Sequence, residues 1–273
     1  MNRHRLFERA IAVFPPGPGV PEELLLVQLD ALAGLKRWQE LSDLLARVDL
    51  DLDPVLLALY RGRVALELGN RPLYDLGWKQ ALRAGERDPR SLRYLADYAE
   101  KMKEPVRSVQ AYEALAGLPG HEVEALMRLV RLHERLGQTR MMFDTLQRLL
   151  KILPTDPIVN SDFAYVALLL GDTSVQPHER ARVVYAVNPR LPAFAATYAL
   201  AQWKGGLPVV ALQSLEHVPR EEWTVPGWHA VYAAVLAANG RQADAKRVAA
   251  EILSQPLLPE ERKLIEGLLP KER

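Results

Sequence analysis

The clearest pattern of apolar and polar positions runs from His121 to Pro157. Apolar residues fall at Leu126, Leu129, Val130 and Leu136, then at Met142, Phe143, Leu146, Leu149 and Leu150, which is helical spacing. Gly137 separates the two runs, and Pro154 with Asp156-Pro157 closes the second. The stretch therefore predicts two amphipathic helices joined by a short turn. One such pair cannot cover both of its apolar faces, so it requires neighbours of the same kind.

The neighbours are present. Turn residues are expected at Gly34, Gly69, Lys103, Gly137, Gly171, Gly206 and Gly240, at intervals of 35, 34, 34, 34, 35 and 34. Seven positions before each lies a small or β-branched residue: Val27, Gly62, Ala96, Val130, Ala164, Ala199 and Ala233. A two-helix repeat of ~34 residues has the tetratricopeptide period. The chain resembles that family over nearly its whole length, most closely in the last repeat, Tyr232 to Leu253, while most repeats lack the family's leading Trp. The resemblance implies an all-α fold, an α-α superhelix of about seven helix pairs with a lone helix at each end. The organisation expected is one array: a partial repeat helix over 1–20, seven repeats over 21–255, and a capping helix over 256–273.

Prolines mark the helix starts. Six of them (Pro21, Pro54, Pro89, Pro157, Pro192, Pro226) stand 13 to 15 residues before a turn residue, and three follow aspartate, at Asp53, Asp88 and Asp156. Aspartate as N-cap and proline at the first helical position satisfy or delete amide donors that a helix start leaves unpaired. A second set, Pro72, Pro105, Pro177 and Pro208, opens the second helices, and the fifth repeat carries a lengthened turn between Gly171 and Pro177. The first helix reads as the second half of a repeat whose partner lies upstream. It leaves Leu6, Phe7, Ile11 and Val13 as an apolar strip through which two copies could associate, and Pro15 to Gly19 as a stiff turn. At the other end, Glu260, Glu261, Arg262, Lys263 and Glu266 give the last helix the polar outer face of a terminal cap.

Composition adds boundaries. Lys+Arg 35 against Asp+Glu 34 gives a net charge of +1, so no bulk field steers the chain to nucleic acid or anionic lipid. With 0 cysteines there is no disulfide framework and no cysteine-based zinc site. No apolar run approaches the ~20 residues that span a bilayer, and Glu8 and Arg9 interrupt the only candidate signal core. The location expected is cytoplasmic, or periplasmic if the sequence is a fragment. Three His-Glu pairs (His121-Glu122, His133-Glu134, His178-Glu179) lack the second histidine four positions on that a zinc protease helix needs. They read as solvated surface residues. No phosphate loop, nucleophile elbow or catalytic constellation is found, so neither cofactor, metal nor enzymatic activity is expected.

The candidate chemistry lies on the first helices. In tetratricopeptide proteins these line a groove that binds extended peptides or a partner's helix, which implies a binding surface here at Tyr60, Arg63, Arg93, Tyr94, Asp97, Arg128, Arg131 and Tyr165. Arg93, Arg128, Arg131 and Arg135 would suit the carboxylates of an acidic protein segment. Against this, Asp97, Glu100, Glu124 and Glu134 could neutralise them in exposed pairs worth ~0–1 kcal/mol each. The Lys and Asn pattern of the family's chaperone-binding carboxylate clamp is absent. The leading expectation is thus a non-catalytic scaffold that binds a peptide or partner helix. An alternative is the repeat portion of a longer enzyme or membrane-associated assembly factor, motivated by the unpaired first helix. RNA binding by a pentatricopeptide-like array is disfavoured, because the rows drift to Leu, Val and Ala where base-reading polar residues would be needed.

Overall fold

Helix follows helix through the chain, and no strand occurs among the described residues, which are 3–13, 21–47 and 50–269 of a computed structural model. The expected turn at Pro15 to Gly19 lies outside them. Among the described residues there are sixteen α-helices and two short 3-10 turns, and the helices group as seven pairs between a single first and a single last helix. Contacts divide the chain into two compact units, Met1–Leu118 and Pro119–Arg273.

The first unit contains α1 (Arg3–Val13), α2 (Glu22–Gly34), α3 (Trp38–Leu45), α4 (Pro54–Glu67), α5 (Arg71–Ala84), α6 (Pro89–Lys101) and α7 (Pro105–Ala116). Its helices start as the prolines and aspartates require. Asp53 accepts from the amides of Val55 and Leu56, and Asp88 from those of Arg90 and Ser91. Each such cap contributes about 1 kcal/mol. Leu25, Leu29, Leu32, Leu41, Leu44 and Leu45 form the buried centre of the first pair. In the second pair Gly62 and Gly77 face each other. A β-carbon on Gly77 would lie 2.8 Å from the Gly62 Cα, so it is the missing side chain at Gly77 that lets α4 and α5 approach this closely.

Two expectations for the start of this unit need correction. The first turn is made by Lys36 (φ 58°), not by Gly34, which is the last residue of α2. Lys36 thus aligns with Gly69, Lys103, Gly137, Gly171, Gly206 and Gly240, all of which have positive φ. The inward residue of the first repeat is therefore Leu29, fully buried, and Val27 is exposed. Gly34 serves another contact: the Phe7 ring of α1 lies where its β-carbon would be. Phe7 and Ile11 accordingly pack inward rather than forming an outer strip, and Leu6 alone stays exposed among the large apolar residues described in α1.

The second unit contains α8 (Glu122–Arg135), α9 (Thr139–Ile152), α10 (Pro157–Leu170), α11 (Pro177–Val187), α12 (Pro192–Lys204), α13 (Pro208–Glu216), α14 (Pro226–Ala238), α15 (Gln242–Glu251) and α16 (Pro259–Ile265). First helices stack in series, α10 on α12 and α12 on α14, and each second helix also touches the next first helix. Ala164, Ala199 and Ala233 are fully buried, and Ala233 shares a cluster with Ala245, Val248 and Ala249 of α15. Phe143 and Phe163 stack at 4.9 Å between ring centroids in a buried cluster that runs from α8 to α14. The lengthened turn of the fifth repeat has two left-handed residues, Gly171 and Gln176, which bring Pro177 to the start of α11. The last helix rests on α14 through Ile265 and also reaches α10.

Candidate functional site

In the first unit, α2, α4 and α6 turn successive side chains to one side, and the start of α3 closes the edge. Tyr60, Tyr94 and Tyr98 surround a pocket of about 230 Å³ with Asp30, Trp38 and Arg63. Tyr60 donates its hydroxyl to Asp30 at 2.5 Å. Burial, with the Asp30 bond next, pushes the Tyr60 phenol far above its ordinary range, and burial pushes that of Tyr98 up to about 12. Both are thus neutral donors at physiological pH. Arg63 pairs with Glu67 at 2.6 Å and holds its guanidinium 5.9 Å from the centre of the Trp38 ring. Tyr94 is 47 % exposed at the mouth. Three of the five residues expected here, Tyr60, Arg63 and Tyr94, thus share one pocket, while half-buried Arg93 and exposed Asp97 do not line it.

In the second unit, α8 and α10 enclose a cavity of about 320 Å³ together with α12, the start of α14 and the C-terminal segment. Arg131 and Tyr165 line it; exposed Arg128 does not. The charge differs from the expected arginine surface, because Glu134, Asp162 and Glu261 face the cavity beside the single guanidinium of Arg131. Burial, and then Glu134 and Asp156, push the Asp162 carboxyl up to about 7 against the opposing pull of Arg131. Burial likewise raises Glu134 and Glu261.

Tyr165 is committed. Its hydroxyl donates to Glu261 Oε1 at 2.8 Å, and the other Glu261 oxygen accepts from the Leu258 amide at 2.8 Å. Thr139, at the start of α9, donates to Glu260, and Pro259 stands against Gly137. A β-carbon on Gly227 would collide with the Glu261 carboxylate, so this glycine makes room for the acid. The C-terminal segment therefore occupies part of the surface that first helices would otherwise present.

No family model matches the sequence, and no curated protein matches it. Among solved structures, a tetratricopeptide repeat protein from Parabacteroides merdae aligns over 97 % of this chain and 100 % of its own, at 15 % identity and a TM-score of 0.52. The fold is that of the tetratricopeptide repeat. Lower similarity extends to the APC/C hetero-tetramer Cut9-Hcn1 (14 % identity, 98 % of this chain, 52 % of that chain, TM-score 0.45). It extends also to the TPR domain of P58(IPK) (14 % identity, 97 % and 91 % covered, TM-score 0.30).

Both pockets are lined mainly by the first helices of their tetratricopeptide repeats, with Trp38 of α3 in one and Met142, Leu146 and Leu149 of α9 in the other. The residues missed from sequence are Asp30, Trp38 and Tyr98 in the first unit and the acidic pair of α16 in the second. Tyr98 follows Tyr94 by one helical turn, a signal that could have found it; nothing in the chain pairs Tyr165 with Glu261. His133 is a correction of another kind: it is buried and bonded to Gln138 at 2.8 Å rather than solvated. Among the described residues, no group of three or more His, Cys, Asp or Glu side chains could hold a metal, and no helix is long and apolar enough to cross a membrane.

Proposed function

We propose that this tetratricopeptide array is a non-catalytic scaffold that binds a segment of another protein. The observation that carries the reading is the tyrosine pocket of the first unit. Three phenol rings offer apolar walls with polar tips, a combination enriched where proteins meet, and they sit on rigid helices, so little side-chain freedom remains to be lost on binding. A partner side chain inserted between Tyr94 and Tyr98 would bury its apolar part there. An acidic residue beside it would meet Arg63 at the rim, with Arg93 and Asp97 on the flank. Arg128, Arg131 and Tyr165 belong to the same reading on the second unit. Self-association through α1 would rest on Leu6.

Selection of displayed random peptides on the immobilised full chain tests this. Selected peptides are expected to lose about tenfold in affinity with Tyr94→Ala, the size of one lost interface anchor, and to keep their affinity with Lys79→Ala, an exposed site outside the pocket. Peptides that bind all variants of the inner face as tightly as the wild type would overturn the assignment.

A further inference from the structure

The C-terminal segment is seated on the second unit in the manner of a ligand. Leu258 enters the cluster that holds Tyr165, Val130 and Met142. Glu260 and Glu261 accept from hydroxyls of Thr139 and Tyr165, 121 and 96 positions away. These are side-chain contacts with α9 and α10, far from the neighbouring repeat that a cap must cover. Ile265, at the other end of α16, makes the capping contacts with the last pair. One seven-residue helix thus does two separable things.

The seat is also incompletely filled. The cavity of about 320 Å³ remains beside Leu258 and Glu261. Met127 and Ile158 on its wall are each 46 % exposed. The preceding linker, Ser254 to Pro256, is exposed, and only Leu257 after it packs on the last pair before the segment reaches its seat. A helix of seven residues has little stability of its own, because nucleation is costly and isolated helices below about 12 residues are marginal.

We propose that the inner face formed by α8, α9, α10 and the start of α14 is a docking surface for a partner helix start of the form apolar–Pro–acid–acid. The chain's own Leu258-Pro259-Glu260-Glu261 fills it as an internal ligand until such a partner displaces it. The Tyr165 and Thr139 hydroxyls select the acidic pair, and the unfilled space selects an apolar residue larger than leucine. A tethered ligand competes at an effective concentration near millimolar, so the site responds only to partners that bind better than a leucine does. The inference rests on the scaffold reading only in taking an inner face as a protein-binding surface, and it does not involve the tyrosine pocket.

The test uses a labelled, end-blocked peptide spanning Gln255 to Leu269, titrated into the full chain and into the full-chain variant Leu258→Ala/Glu261→Ala. Removing the internal competitor is expected to tighten peptide binding about tenfold or more. Adding Tyr165→Phe to that variant should weaken it again. Peptide binding that is absent, or equal in wild type and variant, or indifferent to Tyr165→Phe, overturns the proposal. If the double variant loses its helical circular dichroism, a protease site placed in the Ser254–Pro256 linker of the full chain replaces it. After cleavage, exchange of the C-terminal fragment with labelled peptide supports the proposal, and a fragment that never exchanges shows a purely structural cap. Peptides selected through Tyr94 should bind all these proteins alike, which separates failure here from failure of the scaffold reading.

Discussion

The Tyr165 hydroxyl donates to the Glu261 carboxylate at 2.8 Å, and the acid's other oxygen accepts from its own Leu258 amide. Away from water, these two donors replace the hydration that the carboxylate has lost. Deleting one donor to a buried acceptor costs about 1–3 kcal/mol. Tyr165→Phe is therefore expected to destabilise the second unit by that amount and to speed amide exchange in Arg262 to Ile265. Urea titration followed by exchange mass spectrometry separates the two units, and an unaltered exchange rate in α16 would count against the bond.

The pair Gly62 and Gly77 predicts an asymmetry. An added methyl at Gly77 meets the Gly62 Cα at 2.8 Å and the Ala58 carbonyl oxygen at 2.9 Å, both backbone, so α4 and α5 must separate. Gly77→Ala should cost about 1–3 kcal/mol through overpacking. At Gly62 the nearest atom is 3.4 Å away, at the edge of ordinary contact. Gly62→Ala should be close to neutral, because a small packing cost is offset by the ~1 kcal/mol that alanine gains in a helix. Thermal melts of the two variants should differ clearly, and equal midpoints would contradict the approach described.

Two turns use lysine where five others use glycine. Lys36 and Lys103 have φ of 58° and 57°, a region in which a β-carbon crowds the following carbonyl. Lys103→Gly relieves that crowding but gives the unfolded chain more freedom, which offsets part of the gain. The expected net effect is a stabilisation of about 0.5 kcal/mol, read from the urea midpoint. The reverse change, Gly171→Ala, places a β-carbon on a residue at φ 72° and should destabilise by about 1 kcal/mol.

Asp162 gives a pH dependence whose sign is fixed by its surroundings. Its carboxyl, at about 7 in the fold against an ordinary 3.8, holds its proton more tightly folded than unfolded. The stability it contributes is complete below the ordinary value and is lost as pH rises through about 7. Glu134 and Glu261, raised by burial, act in the same direction. The second unit should thus melt at a lower temperature at pH 8 than at pH 5.5, and Asp162→Asn should shrink that difference. Exposed acids such as Asp172 and Asp244, whose carboxyls are lowered by hydrogen bonds, contribute oppositely and are common to both proteins.

The helix pairs are legible in the sequence because their signals are local: proline and aspartate at starts, glycine at turns, and an apolar stripe between. The one slip of phase shows the limit of that reading. Lys36 carries no mark of a left-handed conformation, and Gly34 two positions earlier carries a false one, being kept for the Phe7 ring. The candidate site is legible only in part for the same reason. Tyr60, Arg63 and Tyr94 follow from the repeat offset, whereas Asp30 and Trp38 come from the flanking helices. The acidic pair of α16 meets Thr139 and Tyr165 through a distance in sequence that no periodicity encodes. Such contacts depend on the path of the whole unit.

That path bears on how the second unit folds. In an open repeat array each contact closes a loop of roughly one repeat, and the array can grow from any point. The bonds from Glu261 to Tyr165 and from Glu260 to Thr139 instead close loops of 96 and 121 residues. They cannot form until the repeats between them have taken shape, so they belong late in folding and raise the mean separation of contacting residues, a property that slows folding. They also give the last segment a stake in the fourth and fifth repeats. Opening at one end of the unit is thereby felt at the other, and an array that could fray one repeat at a time gains a reason to open as a whole.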